Sequence, residues 1–175
     1  MIAKEKWDIV DERGRPSGRT MLRGENILKA GEYHLVVHIW VVSDTGEYLI
    51  QKRSADKKLM PGEWAATGGA AVAGEDSFTA AQRELSEELG IFTERSTLKR
   101  LTRFKRRNSL LDVWATVVNR VNCGIVLQES EVAEAKWVDE ATLVKMIEQG
   151  KFHNYGKEYF DTVLYKIKKY RSTLE

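Results

Sequence analysis

Hydrophobic positions in this chain come in short, dense runs broken by Gly, Pro, Asp and Asn, with a few longer stretches of helical period. The densest run is His34 to Ser43, HLVVHIWVVS, apolar at nearly every position and rich in β-branched and aromatic residues. A run of that kind predicts a central strand buried on both faces. Asp44-Thr45-Gly46 then supplies a turn and Glu47 to Lys52 a returning strand, together a hairpin. Upstream, Trp7 to Asp11 reads as a short strand. Asp11 to Gly18 (DERGRPSG) reads as a turn punctuated by Gly14, Pro16 and Gly18, and Arg19 to Gly31 as loop or a short helix. After the hairpin, Arg53 to Lys58 is a polar, basic loop. Met60 to Thr67 carries a Pro-Gly turn and a short strand, which Gly68-Gly69 ends.

The period then changes. Phe78, Ala81, Leu85 and Leu89 recur every three or four residues, so one stripe of a helix faces a core. Asp76 or Ser77 caps its start, and Gly90 supplies the left-handed stop. Leu98 to Phe104 and Asp112 to Asn119 read as strands joined through the basic turn Lys105-Arg106-Arg107-Asn108. Ala135 to Val138 is another short strand. Helices follow from Asp139 to about Gln149 and from about Lys157 to Tyr170. Strands interleaved with a few helices predict an α/β (α+β) fold, a mixed sheet covered by helices. The 175 residues suit a single domain spanning 1–175, with neither repeat nor linker.

Composition narrows the function classes. A hydrophobic fraction of 42% and a net charge of +2 are those of an ordinary globular protein, with no global pull toward a nucleic acid polymer or a membrane surface. No apolar run approaches the roughly 20 residues needed to cross a bilayer. MIAKEKWDIV has no long apolar run after its charges, so no secretory signal is expected there. A lone cysteine, Cys123, excludes an internal disulfide and a multi-cysteine zinc site, and fits a cytoplasmic setting.

Chemistry concentrates in the predicted helix after the double glycine. Glu84, Glu87 and Glu88 project from one side of it. Like charges so placed repel, at a cost of a few tenths of a kcal/mol per pair. A bound divalent cation would offset that cost. A solvated acidic face is the alternative reading.

From Gly69 to Ile91 the chain fits the pattern G-x5-E-x7-R-E-U-x-E-E-x-G-U, where U is bulky and apolar. Gly69, Glu75, Arg83, Glu84, Leu85, Glu87, Glu88, Gly90 and Ile91 fill the fixed positions. This is the Nudix box, and the chain resembles the Nudix hydrolases (MutT-like). The order of strands around the box also fits the Nudix α/β/α sandwich. The resemblance implies a hydrolase that cleaves a pyrophosphate linkage in a nucleoside diphosphate joined to another moiety, with magnesium or manganese. It implies Glu84, Glu87, Glu88 and the carbonyl of Gly69 as metal ligands, since hard cations take oxygen donors. The metal would polarise phosphoryl oxygens and activate a water, with one glutamate of the cluster or a later one as base. Arg83 is expected either to orient Glu87 one turn on or to act directly in catalysis. Family members often supply a further carboxylate ahead of a Trp-containing strand. In EVAEAKW that position is Glu131, with surface charge as the bland reading. Arg53 and Lys57 are candidate phosphate-binding residues. Arg103, Lys105, Arg106 and Arg107 form a basic cluster that either meets substrate or is a solvated turn. His34 and His38 fall on one side of their strand and read as core histidines. Trp64, Trp114, Phe152 and Tyr155 are available to stack a base or to pack the core. Dimerisation is frequent in the family, and a homodimer is compatible with the chain.

The N-terminal half also resembles the branch containing type I isopentenyl-diphosphate isomerase, through WDIVDERGRPSG, Tyr33-His34 and LIQKRSADKKLMPGEW. That enzyme needs a cysteine just before the box and an opposing glutamate. Here WAATGG precedes the box, Cys123 lies far along the chain, and Asp112 stands roughly at the place of the glutamate. The intact glutamate cluster argues for hydrolysis, and against the nucleotide-sensing Nudix domains, in which the cluster is usually damaged.

Overall fold

The computed structural model describes residues 4–174. Met1 to Ala3, part of the stretch read for a targeting signal, lie outside the described residues. The order is β1 (Lys6–Val10), β2 (Pro16–Leu22), β3 (His34–Ser43), β4 (Tyr48–Arg53), β5 (Trp64–Ala65), β6 (Thr67–Ala70), α1 (Ser77–Leu89), β7 (Leu98–Lys105), β8 (Ser109–Val118), β9 (Val132–Val138), α2 (Glu140–Glu148) and α3 (Lys157–Arg171). Seven strands form a mixed sheet around the order β5-β4-β3-β8-β7, with β6 on β3 and β9 on β4. The two long central strands, β3 and β8, run parallel over ten residue pairs, and the other pairings are antiparallel.

Alternation along β3 feeds two cores. Leu35, Val37, Ile39 and Val41 pack under α1 with Phe78, Ala81, Leu85 and Leu89, the stripe expected from sequence. Trp40 and Val42 face the other way, onto α2 and α3 through Leu143, Phe160, Val163 and Ile167. Helices therefore cover both sides of the sheet, and each buries an apolar stripe against it.

The sheet forks. β3 and β4 pair only at Val41–Leu49 and Val42–Tyr48. The chain of β5 starts on β4, at Trp64–Lys52 and Ala65–Gln51, then crosses at Ala66 and continues as β6 on β3 from Thr67–Ile39 to Ala70–Val36. Gly68-Gly69 lie inside β6 rather than ending a strand, because their backbones are held in its ladder. Three further boundaries differ from the sequence reading. β8 begins at Ser109, so the basic turn shrinks to residues 106–108, closed by the Arg106 amide on the Ser109 carbonyl at 2.8 Å. β9 begins at Val132, because its first half pairs along β4 to Arg53. Pro16–Leu22, expected as turn and then loop or short helix, is a strand paired with β1. Nearly every β2 side chain is exposed, so it carries no alternating apolar signal and is held by backbone pairing. This two-stranded ribbon docks through Val10 and Tyr33, whose amides and carbonyls exchange bonds of 2.8 and 2.9 Å.

Candidate functional site

The site begins at the fork. A Cβ on Gly68 would fall inside contact distance of the Val37 carbonyl and 3.1 Å from the His38 Cα. A Cβ on Gly69 would sit 2.5 Å from the Glu84 Cδ. Two glycines thus permit two close approaches, strand to strand at 68 and carboxylate to strand at 69.

α1 is fixed at both ends. Asp76 accepts the Thr79 amide at 2.7 Å, and Gly90 takes the left-handed conformation at φ 68°. With its apolar stripe buried, the helix presents Glu84 and Glu88 inward, while the Glu87 side chain stays half exposed. Glu88 reaches into the fork, where it accepts hydrogen bonds from Gln51 Nε2 at 2.8 Å and the Gly68 amide at 3.3 Å. Burial pushes its carboxyl up to about 7, and neighbouring Glu84 pushes the same way. Burial also raises Glu84, against the pull of Arg83.

Arg83 is the hub of the acidic face. It donates to Glu75 at 2.8 and 3.0 Å, to Glu84 at 2.9 Å, to Glu87 at 3.1 Å and to the Ala70 carbonyl at 3.0 Å. The Arg83–Glu87 pair expected from sequence is present, and Glu75 adds the two-bond clamp. With Arg83 between Glu84 and Glu87, and Glu88 held by Gln51, no three acidic, histidine or cysteine groups among the described residues converge closely enough to hold an ion. The donor chemistry nevertheless fits a hard cation. Three carboxylates share one helix face, two of them are raised in proton affinity by burial, and the third is half exposed at the cleft with Arg83 beside it.

These groups line a cleft of about 430 Å³ together with Arg53, Lys57, Glu131 and Gly69. The expected metal ligands, Arg83, Glu131 and the two phosphate-binding candidates therefore meet in one place. Lys57 and Glu131 are ion-paired with each other, so the Lys57 charge is already matched. Of the basic cluster, only Arg106 lines the cleft. Arg103 is bound to Asp112, and Lys105 lies near Glu12 and over the Tyr33 ring.

His34 and His38 both face the cleft, but differently. His38 Nδ1 meets the Tyr159 hydroxyl at 2.9 Å, and burial lowers its pKa to about 3, as for a neutral core histidine. His34 is stacked on Trp7 with ring centroids 4.6 Å apart, and its buried Nδ1 has no hydrogen-bond partner. Trp7 and Arg23 were not foreseen as site residues. They arrive on the N-terminal ribbon, whose second strand lacks an apolar pattern, so nothing in the sequence folds them onto β3. The aromatics named from sequence serve elsewhere. Phe152 and Tyr155 pack beneath α3, Trp114 packs edge-on against Phe78, and Trp64 lies under Lys136. Neither isomerase-like position enters the cleft. Cys123 follows β8 and is absent from the lining, and Asp112 points to the α1 side, fully buried against Arg103 at 2.6 and 2.7 Å.

Comparison with known proteins bears on the family and the fold. The NUDIX domain family profile matches residues 32–160. An uncharacterized Nudix hydrolase of Listeria monocytogenes is 34% identical over 165 residues, covering 94% of this chain and 95% of the relative. Among solved structures, a Deinococcus radiodurans protein superposes with a TM-score of 0.69 at 24% identity, over 85% of this chain and 91% of that one. The NUDIX domain of Shewanella oneidensis NrtR, solved with ADP ribose, gives 0.55 at 17% identity, over 70% and 82%.

Proposed function

The chain belongs to the Nudix hydrolase family, and from that premise we propose that it cleaves the pyrophosphate bond of a nucleoside diphosphate linked to a second moiety, in the cleft at the sheet's fork. The observation that carries this reading is the meeting of box carboxylates and cations in that one cleft, Glu84, Glu87 and Glu88 with Arg53 and Arg106. Magnesium or manganese would be held by Glu84, Glu87, Glu88 and the Gly69 carbonyl, and when bound it supplies charge neutralisation at the phosphates and an activated water.

The chain's own groups do the rest. Arg83 orients Glu84 and Glu87 through the Glu75 clamp, so the acidic face is set before substrate arrives. Arg53 and Arg106 offer guanidinium forks for phosphate oxygens. Lys57 fixes Glu131 at the cleft wall, where a carboxylate can accept a proton from water. The Trp7–His34 stack forms an aromatic wall beside them, suited to a planar moiety. ADP ribose, the ligand of the NrtR domain, belongs to the substrate class this arrangement would take.

The test is a metal-dependent screen over nucleotide sugars, dinucleoside polyphosphates, oxidised nucleotides and ADP-ribose. Turnover should require a divalent cation and be lost in Glu87→Gln and Glu88→Gln. Tight nucleotide binding without turnover under any divalent metal would defeat the reading in favour of a sensor. Isomerisation of isopentenyl diphosphate would defeat it in favour of the other branch.

A further inference from the structure

A second chamber lies on the α1 side of the sheet, separated from the cleft by β3. Its volume is about 570 Å³, larger than the cleft's 430 Å³. The walls are the β1–β2 ribbon, the segment leading into α1, and the β7–β8 pair. Val10, Leu35, Phe78 and Trp114 supply apolar and aromatic surface, and Arg95, Arg100 and Arg103 supply charge.

The arginines of β7 are placed by a specific distortion. Positions 100 and 103 of a regular strand would point to opposite faces. The β7–β8 register shifts between Arg100 and Thr102, and this bulge turns both guanidiniums onto one face. Both then reach Asp112, Arg103 at 2.6 and 2.7 Å and Arg100 at 3.4 Å. Arg103 is anchored further by donating to the Arg13 carbonyl at 2.8 Å.

The acids around the chamber already have work. Asp8 accepts the Gly74 amide at 2.8 Å, Asp76 caps α1, and Glu75 is clamped by Arg83. Arg100 and Arg95 do not have close partners of this kind among the described residues. The Arg100 contact is 3.4 Å long, and Arg95 comes no nearer than 3.9 Å to Asp76 while lying over the Phe78 ring. Two guanidiniums with donors to spare, at the mouth of a chamber with an aromatic floor, match an anion borne on a planar body. We propose that this chamber is a second ligand site, for a phosphomonoester of mononucleotide size. The phosphate meets Arg100 and Arg95, and the planar group lies against Trp114 and the apolar surface of Val10 and Leu35. The second carboxylate oxygen of Asp8, whose first takes the Gly74 amide, is available to accept an N–H group of the base.

Equilibrium binding of AMP to the full chain, measured by calorimetry without divalent cation, tests this independently of hydrolysis. The double variant Arg95→Gln/Arg100→Gln should fold, since both side chains are at least half exposed, and a thermal melt checks that it does. AMP affinity should drop about tenfold or more in it and stay unchanged in the cleft variant Arg53→Gln/Arg106→Gln. Adenosine should bind about tenfold more weakly than AMP, and inorganic phosphate more weakly than AMP. The proposal is overturned by any of three results. These are no AMP binding to the unaltered protein at millimolar concentration, binding indifferent to the Arg95/Arg100 change, or binding lost with the cleft arginines instead.

Discussion

Replacing Gly69 or Gly68 by alanine adds one methyl in each case, yet the two changes should fail in different ways. At Gly69 the new Cβ meets the end of a side chain, 2.5 Å from the Glu84 Cδ, where ordinary contact begins at 3.4 Å. The carboxylate must therefore retreat by about 1 Å, a displacement that typically costs about 10²-fold in rate when it moves a catalytic group. Glu84 can move without disturbing the sheet, so the melting temperature should change by less than about 2 °C. At Gly68 the new Cβ meets backbone, the Val37 carbonyl and the His38 Cα, which cannot give way without opening the β3–β6 ladder. Overpacking of that kind costs about 1–3 kcal/mol, or roughly 2–12 °C for a chain of this size. The assay pairs steady-state hydrolysis of the best substrate from the screen with thermal unfolding of both variants. Should Gly69→Ala keep its kcat within about threefold, or melt as low as Gly68→Ala, the assignment of Glu84 as the group pressed against β6 is wrong.

Two further outcomes follow from buried charge. Arg103→Met strips the bidentate partner from Asp112, which is fully buried, and should cost about 3 kcal/mol by urea unfolding, the low end for a broken buried pair because Arg100 stays within 3.4 Å. Adding Asp112→Asn should recover part of that loss, and a cost below about 1 kcal/mol would contradict the pairing as drawn. His38 gives a pH signature. Its folded pKa is lowered by burial to about 3 from 6.5, so the folded state favours the neutral ring. Its contribution is complete above pH 6.5 and is lost as pH falls toward 3, at up to about 1.4 kcal/mol per unit. Between pH 6.5 and 5 the unaltered protein should lose up to about 2 kcal/mol relative to His38→Gln, and parallel stability curves would refute a desolvated ring.

Sequence reading reached the acidic helix face more readily than the frame that shapes it. The α1 stripe and caps were legible because helical periodicity and capping are local. Gly68 and Gly69 were visible, but not their reason. Inside a strand, glycine makes sense only once the Val37 carbonyl and the Glu84 carboxylate are known to press on it. Pro16–Leu22 was illegible because an exposed ribbon strand owes its form to a partner, Lys6–Val10, rather than to its own pattern. Arg103 and Arg106 look alike in the sequence. A bulge near Leu101 and a turn at 106–108 send one to Asp112 and the other to the cleft. Of the aromatics, Trp7 reaches the cleft on the two-stranded ribbon, whereas Trp114 on β8 faces the α1 side of the main sheet.

The N-terminal strand β1 is a partition wall with different furnishings on its two sides. Glu5 and Trp7 face the cleft, and Asp8 and Val10 face the second chamber. Because strand side chains alternate, sliding β1 by a single residue against its neighbours would exchange the contents of the two rooms. The Val10–Tyr33 bridge and the bond from the Ala73 amide to the Lys6 carbonyl work against that slip. An insertion of one residue between Glu5 and Val10 should therefore re-tailor both ligand sites at once while leaving the acidic helix as it is.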